Sequence, residues 1–108
     1  MGKTTIKNSM TWKLAGTAPG GTNITMPTDY KEIMLVATGY STYYFTAIIP
    51  KSEISSSNMY PRFASYYNAS SNAGGYWNLT NSTVKLENYV VNGGTSVVAQ
   101  ATCKLYYR

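Results

Sequence analysis

The sequence predicts an all-β domain, an antiparallel β-sandwich of jelly-roll type with about eight strands. The composition favours strands, because the 108 residues include eleven tyrosines together with many threonines and valines, residue types that are enriched in β-sheets. Stretches with apolar residues at every second position are separated by Gly, Pro, Asn and Ser at intervals of about ten residues. This spacing is typical of a sandwich or a barrel and gives no convincing helix.

The length of the chain is that of a single domain. Residues 11–108 are expected to form this domain, and the polar residues 1–10 are expected to be a flexible lead-in or linker. The sequence contains no signal-like apolar segment and no apolar run of about 18 residues. It therefore predicts neither a membrane anchor nor a membrane partner.

The first strands are short. Trp12 and Leu14 lie two residues apart, so they share one face of a strand that is expected to end at Gly16. Ile24 and Met26 have the same spacing and share one face of a second strand, which ends before a proline.

The central part of the chain is more apolar. Residues 32–38 (EIMLVAT) and 42–49 (TYYFTAII) are predicted strands on either side of a turn at residues 39–41, and Pro50 is expected to end the second of them. Continuous apolar sequence predicts strands that are covered on both faces, by a second sheet or by a neighbouring subunit. We therefore expect the protein to form a homo-oligomer, with a trimer favoured.

Two further strands are predicted around a loop. Residues 62–68 and 76–80 have strand-forming composition, and residues 69–75 (ASSNAGG) between them are small and polar, which predicts a loop.

The C-terminal part of the chain has the clearest alternation. Apolar side chains occupy every second position from Val97 to Tyr107, which predicts a long antiparallel strand with one face in the core. Asn92-Gly93-Gly94 is a turn signal, so this strand is expected to pair with the strand at residues 83–91 as a hairpin. The alternation places Cys103 on the apolar face, where a thiol is a small inert side chain.

The residue types needed for catalysis are scarce. The sequence has no histidine and only four carboxylates, Asp29, Glu32, Glu53 and Glu87. The usual general base, the Ser-His and Cys-His pairs and the commonest metal ligand are therefore missing. The sequence predicts a protein that is not an enzyme and that uses neither a metal nor another cofactor.

The net charge of +5 comes from nine basic residues, none adjacent to another. Proteins that bind nucleic acids usually concentrate such charges on one face or along one groove. We therefore expect no nucleic-acid partner.

Tyrosines surround the segment at residues 69–75, and tyrosine offers an apolar ring face together with a hydroxyl group. We predict a site for a neutral or anionic glycan, in which aromatic faces stack on the sugar, amides orient it, and an arginine contacts a phosphate or carboxylate. The candidate residues are Tyr66, Tyr76, Trp77, Asn72, Asn78 and Arg62. The alternative for Trp77 is that it lies in the core beside Leu79, on the same strand face.

A diffuse pattern over most of residues 11–108 resembles the C-terminal domains of tail or fibre proteins from phages and prophages of Gram-positive bacteria. The pattern comprises Trp12-x-Leu14, Ile24-x-x-Pro27-x-x-Tyr30-x-Glu32, Phe45-Thr46-x-x-Ile49-Pro50, Arg62-Phe63-x-x-Tyr66-Tyr67 and Leu105-Tyr106-Tyr107-Arg108. The resemblance implies a virion module, often trimeric, that contacts a cell-surface glycan and is present in the phage tail, or in the bacterial cytoplasm when a prophage is expressed. It transfers no site residue. The alternatives are a purely structural, self-assembling fibre or baseplate module and a bacterial carbohydrate-binding module.

Overall fold

A computed structural model describes residues 11–40 and 43–108, which form two antiparallel β-sheets. In chain order the strands are β1 (Lys13–Pro19), β2 (Ile24–Thr25), β3 (Glu32–Thr38), β4 (Phe45–Pro50), β5 (Arg62–Asn68), β6 (Ser71–Leu79), β7 (Thr83–Val91), β8 (Thr95–Ser96) and β9 (Thr102–Tyr107). The first sheet has the strand order β1-β9-β3-β4, and the second has the order β2-β7-β6-β5 with β8 paired to β7. The predicted all-β fold is confirmed. The predicted lead-in at residues 1–10 lies outside the described residues.

One apolar cluster fills the space between the two sheets. Alternate residues of β3, β6, β7 and β9 are buried in it, as expected when one face of an antiparallel sheet packs on the core. β1 and β5 each contribute a single buried residue, and β4 contributes none. Its fully buried members include Ile33, Leu35, Cys103 and Leu105 from the first sheet and Trp77, Leu79, Val84, Leu86 and Tyr89 from the second. No helix within residues 11–40 and 43–108 is long and apolar enough to cross a membrane.

The central apolar segments form neighbouring strands of the first sheet. The predicted bounds of β3 are confirmed, whereas β4 begins only at Phe45 and includes Pro50. β4 is an edge strand, and its residues alternate between half-buried and exposed, with Ile48 55% exposed. The second sheet therefore does not cover both faces of this strand. Cover by a neighbouring subunit, the other expectation, stays a prediction. Ser41 and Thr42, which belong to the predicted turn and strand start, lie outside the described residues.

The first strand continues beyond the predicted end at Gly16. A β-bulge between Leu14 and Gly16 changes the register with β9, and pairing then continues as far as Pro19. Glycine is needed here because a Cβ atom on Gly16 would come within 2.6 Å of a side-chain carbon of Ile24. The glycine therefore marks a close contact between the sheets rather than the end of a strand. The shared inner face of Ile24 and Met26 is confirmed, since both are buried.

The predicted loop at residues 69–75 is mostly strand. Only residues 69 and 70 form the turn, and β6 begins at Ser71. A Cβ atom on Gly75 would lie 2.0 Å from the backbone oxygen of Asn88 and 2.8 Å from the ring of Phe63. The small residues therefore allow close packing between β5, β6 and β7, whereas the sequence prediction interpreted them as a loop.

The turn at residues 92–94 is confirmed, with positive φ angles of 49°, 86° and 123°. The long strand predicted after it is wrong. Only Thr95–Ser96 pairs with β7, a 3₁₀ turn at Val98–Gln100 follows, and β9 then joins the first sheet between β1 and β3. Val97, Ala101 and Cys103 are buried as the alternation predicted. Ala99, which the alternation also placed on the inner face, lies in the 3₁₀ turn and is exposed. The alternation also did not identify the strands that pair with β9.

Candidate functional site

The predicted site residues lie on β5 and β6, in the second sheet. Pairing between these strands places Arg62 opposite Tyr76 and Tyr66 opposite Asn72. Asn78 follows Tyr76 by two positions on β6 and therefore shares its face. Since the alternate residues of β6 are buried in the core, these five side chains lie on the outer face of the second sheet.

Trp77 points in the opposite direction. It is 0% exposed, and its ring centre is 5.0 Å from that of Phe63. Leu79, two residues further on, is equally buried. The alternative considered from the sequence is therefore correct for Trp77, whose indole belongs to the core and is not available to a ligand at the surface.

Tyr76 is held between two neighbours on the outer face. The guanidinium of Arg62 lies over the Tyr76 ring, 5.0 Å from its centre. The ring of Tyr60 meets Tyr76 edge-on at 5.7 Å. Arg62 makes no salt bridge within the described part of the chain, so its charge is balanced by no carboxylate there. Cation–π and edge-to-face contacts of this kind fix the orientation of a ring without burying it.

A shallow trough of about 350 Å³ lies beside this pair and is lined by Arg62, Phe63, Ala64, Gly74, Gly75, Tyr76, Asn88 and Val90. The middle of the trough is low because Gly74 carries no side chain. It is flanked by Ala64 on β5 and by Val90 on β7, its partners in the two neighbouring strands. We call this trough, with Arg62 and Tyr76 at its end, the outer-face site. The sequence prediction missed Ala64, Asn88 and Val90, because only the strand register brings Ala64 and Val90 beside Gly74 and Asn88 beside Tyr76.

A second depression of about 230 Å³ lies on the other side of the Arg62–Tyr76 pair and is lined by Tyr60, Arg62, Tyr76 and Glu87. Glu87 accepts a hydrogen bond of 3.1 Å from the side-chain amide of Asn78 and lies 3.6 Å from the ammonium of Lys85. The negative charge of Glu87 is thus paired with the ammonium of Lys85. The positive charge of Arg62 has no carboxylate partner of its own among the described residues. Asn78 therefore orients Glu87 from the same face of β6 as Tyr76.

Asn72 has a structural role. Its side-chain nitrogen donates hydrogen bonds of 3.0 Å to the backbone oxygens of Asn68 and Ala69, and its side-chain oxygen accepts one of 3.2 Å from the backbone nitrogen of Gly93. These bonds connect the β5–β6 turn to the β7–β8 turn, and they engage both the nitrogen and the oxygen of the Asn72 side-chain amide. Tyr66, by contrast, is 74% exposed. Of the predicted residues, Arg62, Tyr76, Asn78 and Tyr66 therefore remain accessible to a ligand.

Two groups with possible chemical roles are engaged in the fold: Glu32 is paired and Cys103 is buried. No group of three or more His, Cys, Asp or Glu residues that could hold a metal ion occurs among residues 11–40 and 43–108. Glu32 accepts a hydrogen bond of 2.6 Å from Arg108. Burial raises the pKa of the Cys103 thiol to about 11, although Trp77 and the Leu86 backbone act to lower it. The thiol is therefore protonated at neutral pH.

No family model, curated protein or solved structure matches the chain.

Proposed function

We propose that this domain is a non-catalytic module of a phage tail or fibre and that it binds a glycan of the host-cell surface at the outer-face site. The observation that carries the proposal is the guanidinium of Arg62, held over the ring of Tyr76 beside an open trough. An ordered aromatic ring next to an unpaired cation suits a ligand that has both an apolar ring face and polar or charged substituents. Sugars have this combination.

The trough would accept a sugar ring lengthwise. One ring would pack against the exposed side of Tyr76 over Gly74, where the strand backbone allows a close approach. Asn88 lines the same trough and offers an amide to the hydroxyls. Because the trough is open and lies on a sheet face, it would bind an internal sugar unit of a long glycan as readily as a terminal one.

The assignment to a phage tail or fibre rests on the sequence pattern described above. The elongated form of the chain, 53 × 28 × 21 Å, is compatible with a fibre module. A bacterial carbohydrate-binding module would use the same site in a different protein context. In the phage context the protein would be located in the virion, or in the bacterial cytoplasm during prophage expression.

The absence of catalysis is part of the proposal. It is supported by the lack of histidine in the sequence and by the pairing of Glu32 with Arg108 and of Glu87 with Lys85. A glycosidase needs two carboxyl groups facing each other across the bound sugar, and the outer-face site borders only Glu87.

The proposal is tested with Tyr76→Ala and Arg62→Ala, measured by a glycan array and by binding to cell walls of the host. Each variant should lose most of the binding, while the melting temperature should change little because both positions are at the surface. Tyr44→Ala is the matched control, since Tyr44 is 65% exposed and lies next to β4 in the other sheet. It should bind like the unmodified protein.

Two results would contradict the proposal. One is unchanged binding in both site variants, which would place the ligand elsewhere. The other is the absence of binding to any glycan or cell wall by the unmodified protein, which would favour the purely structural module. The outer face of the first sheet supports an assembly role independently of the glycan site.

A further inference from the structure

The outer face of the first sheet carries an unusual number of apolar side chains. Two-layer sandwiches normally place polar residues on their outer faces. Here a row of apolar residues in register crosses the whole sheet, with one residue from each strand: Leu14 on β1, Tyr106 on β9, Met34 on β3 and Ile48 on β4. Leu14 and Ile48, at the two ends of the row, are 56% and 55% exposed.

The rows on either side of this apolar row are also defined by the register. One contains Thr17, Lys104, Val36 and Thr46. Val36 is only 1% exposed, although it does not belong to the cluster between the sheets. The other contains Trp12, Arg108, Glu32 and Pro50, in which Arg108 lies over the Trp12 ring at 4.2 Å and bonds to Glu32. A further outward row contains Pro19, Thr102 and Thr38. The face therefore combines one apolar row with threonines, one ion pair and one further cation.

We propose that this face binds the same face of a second copy of the chain, around a two-fold axis that runs parallel to the strands and passes between β9 and β3. Such an axis places β9 of one copy over β3 of the other, and β1 over β4. Leu14 then faces Ile48 of the second copy, and Tyr106 faces Met34 of the second copy. A closed two-fold contact of this kind uses one self-complementary surface.

The charges select this axis. Arg108 on the β9 side faces Glu32 of the second copy on the β3 side, and the reciprocal pair forms by symmetry. Lys104 faces the neutral Val36. An axis along the apolar row would instead place Lys104 opposite Arg108, and like charges across an interface are unfavourable. Both axes match the apolar row with itself, and of the two the axis parallel to the strands also matches opposite charges.

The size of the face sets the strength of the contact. Four strands at spacings of about 4.8 Å and about seven residues at about 3.3 Å give a face of roughly 19 × 23 Å, or about 440 Å² in projection. Two copies together bury about 900 Å² on this measure, which is below the range of stable specific interfaces and within that of weak, transient ones. We expect a reversible dimer with a dissociation constant on the order of 10 to 100 µM.

A trimer, which was favoured from the sequence, would need two different complementary surfaces on each chain, because contacts around a three-fold axis are heterologous. The outer face of the second sheet is not a second surface of this kind, because its in-register row of Ala64, Gly74 and Val90 is recessed as the trough. The same face carries the charged side chains of Arg62, Lys85 and Glu87 beside the outer-face site. The single apolar face therefore favours a pair of chains, and it leaves both glycan sites pointing away from the contact.

The first experiment is sedimentation of the full chain between about 1 and 300 µM. The mass should rise from that of a monomer towards that of a dimer and should not exceed it. Ile48→Lys should weaken association roughly tenfold or more, because the two-fold symmetric dimer contains the substituted position twice and loses the apolar contact at both. Tyr67→Lys is the matched control, since it adds the same charge at a position that is 83% exposed on the other sheet. It should associate like the unmodified chain.

The second experiment tests the axis with two single-cysteine additions, Leu14→Cys and Ile48→Cys. Positions 14 and 48 face each other only between copies, since they are three strand spacings, about 14 Å, apart within one chain. Disulfides do bridge packed sheets in immunoglobulin domains, so facing positions are within reach. Mild oxidation should cross-link a mixture of the two variants but neither variant alone. A mixture of Leu14→Cys with Tyr67→Cys gives the collisional background.

Three results would overturn the inference. One is a monomer mass at 300 µM, and another is a trimer mass. The third is equal cross-linking of Leu14→Cys alone and of the mixture, which would show the other axis. None of these results depends on glycan binding, which Tyr76→Ala tests separately on the opposite sheet.

Discussion

The thiol of Cys103 tests whether β9 has its inner and outer faces assigned correctly. The side chain is 0% exposed between the sheets, and burial raises its pKa from the ordinary value of 9.0 to about 11. The thiolate is the reactive form. A rise of two pKa units lowers the thiolate fraction at pH 8 about a hundredfold, before any steric protection is counted. The native protein should therefore react with a thiol reagent at least a hundredfold more slowly than the unfolded chain.

The measurement is the rate of reaction with an aromatic disulfide reagent at pH 8, with and without concentrated guanidinium chloride. Ile48→Cys supplies an internal reference, because its added thiol is at an exposed position of the same fold. In that variant one equivalent should react rapidly and the other slowly. Rapid native labelling of Cys103, within tenfold of the unfolded rate, would mean that β9 is out of register by one residue, since such a shift exchanges the two faces of a strand.

Two further predictions concern stability. Gly75→Ala should destabilise the protein by about 3 kcal/mol or more in denaturant unfolding, because its Cβ would lie 2.0 Å from the backbone oxygen of Asn88. Gly74→Ala is the control and should cost much less, since its nearest contact is 3.3 Å. Similar losses of stability in both variants would contradict the packing described. Stability should also fall above about pH 9, because burial raises the pKa values of Cys103 and Tyr89, so the native chain holds protons that the unfolded chain releases. The loss approaches 1.4 kcal/mol per pH unit for each group while only the unfolded chain is deprotonated. Cys103→Ala should show a shallower decline, and constant stability up to pH 11 would refute the reasoning.

Several features of the fold were readable from local sequence. The bounds of β3 and β5 were predicted correctly, because continuous strand-forming residues end at clear turn signals there. The turn at residues 92–94 was equally clear, since its residue types tolerate positive φ angles. The burial of Cys103 followed from alternation alone. These features depend on residues that are close in sequence.

The partners of the strands could not be obtained in this way. Alternation states which side chains face the core, but it does not state which strand supplies the hydrogen bonds. β9 was therefore assigned to β7, whereas it pairs with β1 and β3. The glycines of β6 were misread for a related reason. Their close contacts are with Phe63 and Asn88, which are distant in sequence.

The candidate sites show the same division. The sequence determined that the chain is an all-β sandwich, that it lacks histidine, and that tyrosines and an arginine surround β6. Only the tertiary structure decided that Arg62 lies over Tyr76, that Trp77 is in the core, and that an apolar row crosses the first sheet. The physical reason is that strand register is set by pairing between distant segments. A surface site on a sheet is assembled across strands, so its composition appears only when the register is known.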